Sequence, residues 1–126
     1  MKIPFSTILC LTATLALFLV SGCNRQPQPP PPLAVEQIPT EMQKAFTQAT
    51  PQVKEMVTKL TASLQEKDYS MAYQGVQYLT SLPELTEEQR ELTSRAMLTI
   101  YGLLQAAQAQ GDQTAATTLK VHQATK

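Results

Sequence analysis

The spacing of apolar residues divides the chain into three stretches. From Phe5 to Val20 apolar residues follow one another with only scattered Ser and Thr between them and no charge. Between Gln26 and Pro32 the run Gln-Pro-Gln-Pro-Pro-Pro-Pro has no apolar period at all. From Pro39 onward apolar residues recur three and four positions apart, the spacing of one face of an α-helix. The third stretch is therefore predicted to be all-α, a small bundle or repeat-like stack of about four helices over residues 40–126.

Local signals divide that stretch further. Thr40 followed by Gln43 reads as a capping box opening the first helix. Met42, Phe46 and Ala49 lead into Val53, Met56, Leu60 and Leu64 as one stripe that crosses Pro51. Thr50-Pro51 has the form of an N-cap and first helical position, and Pro51 lacks the N–H that would bond to Thr47, so a break is expected there. Beyond it Val53, Met56, Val57, Leu60 and Leu64 form one face, with Lys54, Glu55, Lys59 and Glu66 turned to water, as in an outer helix.

Asp68 reads as the cap of a different kind of helix. Tyr69, Ala72, Tyr73, Val76 and Leu79 make one apolar face, and Met71, Gly75, Tyr78 and Leu82 make another about 180° round. A helix apolar on two sides is expected to be packed on two sides, with Gly75 admitting a close neighbour. Pro83 stops it, and Thr86 with Gln89 forms a capping box for a long helix. That helix carries Leu92, Ala96, Ile100, Leu103 and Ala107, widened by Met97, Tyr101 and Leu104, and ends at Gly111. Asp112 caps a weaker last helix with Ala115, Ala116, Leu119 and His122.

Composition narrows the chemistry. Ten basic residues balance ten acidic ones, which argues against nucleic acid as a partner, since phosphate binding needs a positive surplus. The acidic cluster Glu84, Glu87, Glu88 and Glu91 reads as a solvated helix N-terminus, where the dipole favours negative charge, rather than a cation site. The one histidine, His122, has no second histidine to share a metal with, and is expected to be an unremarkable surface or cap residue. No nucleophile elbow and no phosphate-cradling glycine loop is present in the sequence, so no enzymatic activity and no cofactor is expected. Four tyrosines, Tyr69, Tyr73, Tyr78 and Tyr101, are the candidate interaction surface, although their place among Val, Leu and Met fits core packing better.

The first stretch ends in Leu19-Val20-Ser21-Gly22-Cys23, which resembles the lipobox of bacterial lipoproteins: a branched apolar residue, two small residues, then cysteine. The resemblance implies a signal peptide over residues 1–22, cleavage between Gly22 and Cys23, and acyl chains on Cys23 that hold the protein to a membrane. Lys2 supplies the positive start, and a predominantly apolar run of sixteen residues is short of the about 20 that a membrane span needs. An uncleaved anchor is the other reading of the same stretch; small residues directly before a cysteine have no use in it. Asn24, in place of the aspartate that resembles an inner-membrane retention signal, points to the outer membrane, facing the periplasm, in a Gram-negative host. Cleavage removes Cys10, so the mature chain has no thiol for a disulfide or a metal.

Residues 23–39 then form the lipid-attachment site and linker. Proline-rich sequence adopts polyproline II at about 3.1 Å per residue, so Asn24 to Pro39 would span up to ~50 Å. A spacer is the expected role; a ligand for a proline-recognising groove is the alternative.

A second resemblance lies in the folded part. Leu64…Lys67-Asp68-Tyr69…Ala72 and Leu104…Ala107…Gly111-Asp112…Ala115…Leu119 look like the turn regions of tetratricopeptide repeats, in which one helix ends at a Gly-Asp or similar pair and the next offers a small residue to its partner. The first copy has Lys67 where glycine is usual, and the two aspartates are 44 residues apart against a family period of about 34. The expected function is a lipid-anchored cell-envelope protein, held by Cys23, whose helical domain binds or scaffolds a protein partner. An architectural spacer or envelope-attachment lipoprotein without a dedicated ligand is the alternative. Replacing Cys23 by Ser should abolish palmitate labelling and leave an uncleaved precursor. Normal processing of that variant would instead indicate an ordinary secretory signal.

Overall fold

The computed structural model describes residues 28–125, so the apolar stretch, Gly22 and Cys23 lie outside it. Among the described residues the chain forms five α-helices and no strand: α1 (Ile38–Ala45), α2 (Pro51–Gln65), α3 (Tyr69–Thr80), α4 (Glu87–Ala109) and α5 (Gln113–Ala124), preceded by a 3-10 turn at Val35–Gln37. None of these helices is long and apolar enough to cross a membrane.

Polar side chains at the helix starts account for most boundaries. Thr50 accepts from the N–H of Val53 and Pro51 is the first residue of α2, so the break expected at Pro51 is real. Asp68 accepts from Met71 N–H, Thr86 and Gln89 form the reciprocal box, and Asp112 accepts from Thr114 and Ala115. The start of α1 departs from expectation. It begins at Ile38, with Pro39 in its first turn and no side-chain cap, so Thr40 is an interior residue and the Thr40–Gln43 box does not form. Proline's fixed φ starts this helix without a cap. The packed body also begins earlier than residue 40, because Leu33 is buried against α4.

The α2–α3 and α4–α5 junctions are built alike. The N–H of Asp68 bonds to the carbonyl of Ser63 and that of Lys67 to Leu64; the N–H of Asp112 bonds to Ala107 and that of Gly111 to Gln108. Each is a Schellman closure whose last residue is also the N-cap of the next helix. The residue before each aspartate has positive φ, 60° at Lys67 and 95° at Gly111. Lys67 thus occupies a conformation that glycine adopts without steric cost, and the closure bonds on either side hold it there.

Short junctions make successive helices antiparallel neighbours. α1, α2, α3 and α4 pack in a closed ring, each touching the next, and α5 lies outside it in the furrow between α3 and α4. The core runs through the ring: Ile38, Met42 and Phe46 from α1, Val57 and Leu60 from α2, Ala72, Val76 and Leu79 from α3, and Leu92, Ala96, Ile100 and Leu104 from α4. α4 is turned slightly from its expected orientation, with Leu104 fully buried and Leu103 only half-buried. α3 packs against α2, α4 and α5. Its second face is narrower than the pattern suggested: Gly75 is buried, Tyr78 and Leu82 are half-buried, and Met71 is 49% exposed. Met71 sits at the first turn, where α2 has already ended.

Gly75 and Gly102 give opposite expectations. A Cβ at position 75 would lie 3.1 Å from the Cβ of Leu60, whereas one at position 102 would meet nothing within 4 Å. Gly102→Ala should stabilise by about 1 kcal/mol through helix propensity and raise Tm by roughly 4–8 °C. At Gly75 the same gain is outweighed by crowding of about 1–3 kcal/mol, because the obstructing atom is fixed to the α2 backbone, so Gly75→Ala should lower Tm. Thermal unfolding followed by circular dichroism measures both.

Candidate functional site

One cluster of side chains gathers where α3, α4 and α5 meet. Tyr73 lies one turn from Val76 on the inward face of α3, and its ring is buried. His122 continues the stripe of Ala115 and Leu119 along α5 but falls in the last turn, where the furrow opens, and is half-buried. Tyr101 follows the fully buried Ile100 on α4 and is turned about 100° from it, to the edge of the core. The three rings form a triangle with centroid separations of 5.5 Å (Tyr73–His122), 5.8 Å (Tyr101–His122) and 6.0 Å (Tyr73–Tyr101). The two histidine contacts are edge-on, the arrangement ring quadrupoles favour.

A hydrogen-bond chain runs through the triangle. The amide nitrogen of Gln77 donates to the Tyr73 hydroxyl oxygen at 3.2 Å, and that oxygen lies 2.8 Å from Nδ1 of His122. A phenol accepting from both neighbours would leave its own proton unused, so the satisfied arrangement has the hydroxyl donating to Nδ1 and the imidazole proton on Nε2. Burial, and secondarily the nearby Tyr101, push the Tyr73 pKa above the ordinary tyrosine value.

These residues line one side of an open groove of about 450 Å³, completed by Thr80, Met97 and Leu98. No Asp, Glu, Lys or Arg is among its lining residues. Leu98, at its edge, is 45% exposed. The groove therefore offers apolar side chains together with hydroxyl, amide and imidazole groups to whatever enters it. A larger hollow of about 680 Å³ lies at the junction end, between Lys67, Tyr69, Leu103 and Asp112. It brings no comparable polar chain together, since Asp112 is already engaged in capping α5.

The four tyrosines do not form a single surface. Tyr73 and Tyr101 meet in the groove, Tyr69 lines the separate junction hollow, and Tyr78 packs half-buried on the side of α3 opposite Tyr69. The sequence reading missed His122, Gln77 and Leu98. His122 was visible as the fourth member of the Ala115–Leu119 stripe, but only the docking of α5 on α3 shows that it is aimed at Tyr73, 49 residues earlier. Among the described residues no group of three or more His, Cys, Asp and Glu is placed to hold a metal ion.

No protein-family model matches this chain, and no curated protein and no solved structure is found similar to it. The fold and site define a small all-α domain of five packed helices with a tyrosine–histidine groove.

The raised pKa of Tyr73 predicts alkaline sensitivity. Above the ordinary tyrosine pKa of about 10 the unfolded chain loses this proton while the folded chain retains it, so stability falls as pH rises through and beyond that value. Tyr73→Phe should cost about 1 kcal/mol at neutral pH through the lost hydrogen bonds. Its melting temperature should also decline less steeply above pH 10 than that of the parent. Parallel decline in both proteins would remove Tyr73 as the source.

Proposed function

We propose that this is a lipid-anchored protein of the cell envelope whose helical domain binds a protein partner, with the groove between α3, α4 and α5 as the contact surface. The lipobox-like Leu19–Cys23 supports the anchor, and Asn24 supports an outer-membrane position facing the periplasm in a Gram-negative host. The observation that carries the binding role is Leu98, 45% exposed at the lip of a groove with no charged lining residue. Tyrosine is enriched among the anchors of protein contacts, and Tyr73 and Tyr101 stand beside Leu98 in this groove. The lining chemistry favours a peptide segment with an apolar side chain for Met97 and Leu98 and free main-chain groups for Gln77, Thr80 and the Tyr73–His122 pair. A basic ligand would find no acidic side chain there.

The test uses the full-length lipidated protein in its membrane with a photo-crosslinking side chain at position 98 or, as control, at the exposed Lys59. A discrete adduct from position 98 and not from position 59 is expected. Leu98→Glu, which places a charge at the lip, should weaken association with the adduct's partner at least tenfold, about 1.4 kcal/mol. Equal adducts from both positions, or unchanged association in Leu98→Glu, would overturn the groove as the contact surface.

A further inference from the structure

The end of the proline run is part of the fold. Proline has no N–H, so such a segment offers only carbonyls for hydrogen bonding, and a surface that holds it must supply donors. α4 supplies two. Arg95 Nε donates to the Pro31 carbonyl at 2.9 Å, and the Thr99 hydroxyl donates to the Leu33 carbonyl. The first residue after the prolines with an N–H, Leu33, donates it back to the Arg95 carbonyl at 3.4 Å. Its side chain is 6% exposed, within the core cluster, and the 3-10 turn at Val35–Gln37 also packs on α4.

We infer that Arg95 and Thr99 form a clamp that shortens the tether and holds the domain close to the membrane. This rests on the lipid attachment at Cys23 proposed above. With the clamp closed, only the seven residues Asn24–Pro30 separate the anchor from the fold, a contour of at most about 25 Å. With it open, the eleven residues Asn24–Ala34 would extend to at most about 40 Å. The clamp therefore keeps the domain within about one domain diameter of the bilayer. Arg95 and Thr99 are positioning residues for this tether.

The inference is tested on the lipidated protein in vesicles, by energy transfer from a fluorophore on Lys59→Cys to headgroup-labelled lipid. Arg95→Ala combined with Thr99→Val and Leu33→Ser should reduce transfer, to about the level of a second protein with four Gly-Ser residues inserted after Asn24. Transfer unchanged in the triple variant while the insertion lowers it would overturn the clamp. Exchange of the Leu33 amide in the unaltered protein reads the clamp without any substitution. Protection well above that of the unfolded chain is expected, and exchange at the unfolded rate would overturn it even if the triple variant failed to fold. The mass of the N-terminal peptide reports the anchor separately. An unlipidated Cys23 beside a protected Leu33 amide would overturn the membrane placement and the anchor reading together, leaving only the docked strap.

Discussion

The close approach of α2 to α3 governs the rest of the packing. Leu60 lies against the backbone of Gly75, with no room for even a methyl group between them at ordinary contact distance. That contact lets α3 sink between α2 and α4, so that Ala72, Val76 and Leu79 are all fully buried. The cost of a mid-helix glycine, about 1 kcal/mol, is offset by dispersion contacts that a more distant pair of helices would lose. Because α3 sits deep, Tyr73 on its other flank is buried to the level of its ring, and only its hydroxyl reaches the groove. A shallower α3 would leave Tyr73 in water and His122 without a partner.

α5 stands in a different energetic position from the ring. It contributes two buried apolar residues, Ala115 and Leu119, where α4 contributes four. Its first turn is fixed by Asp112 and the Schellman closure behind it; its last turn is fixed by His122 through Tyr73 and the two ring contacts. Elements with few buried apolar contacts open at lower free energy than the core around them. The groove therefore has two walls from the ring, α3 and α4, and a third wall whose last turn is held by one hydrogen bond and two edge-on ring contacts.

Local rules were a good guide wherever the deciding contact was short in sequence. The caps at Thr50, Asp68, Thr86 and Asp112, the break at Pro51 and the end at Gly111 each depend on residues no more than five apart, and each forms as expected. The same rules misplaced the start of α1, because a Thr-x-x-Gln pattern also fits a helix interior when a proline has already begun the helix upstream. Lys67 shows how far a closure can override preference: the bonds from Asp68 and Lys67 to Ser63 and Leu64 hold a non-glycine residue at positive φ. The site was harder to read. Period alone placed Tyr73, Tyr101 and His122 on apolar faces but carried no information on which faces meet. That depends on α5 docking on α3 as well as on its hairpin partner α4.

The linker shows the same limit most plainly. A proline run reads locally as a stiff, unattached spacer, since it has no donors and no apolar period. Its attachment is decided by Arg95 and Thr99, more than sixty residues later, whose side chains supply the donors that the segment lacks. Those residues and the groove share one helix: Arg95, Leu98 and Tyr101 follow one another at three-residue steps along α4, each turned about 60° from the last. The strap is held at one end of that strip and the groove opens at the other, so both are carried by one continuous helix of 23 residues.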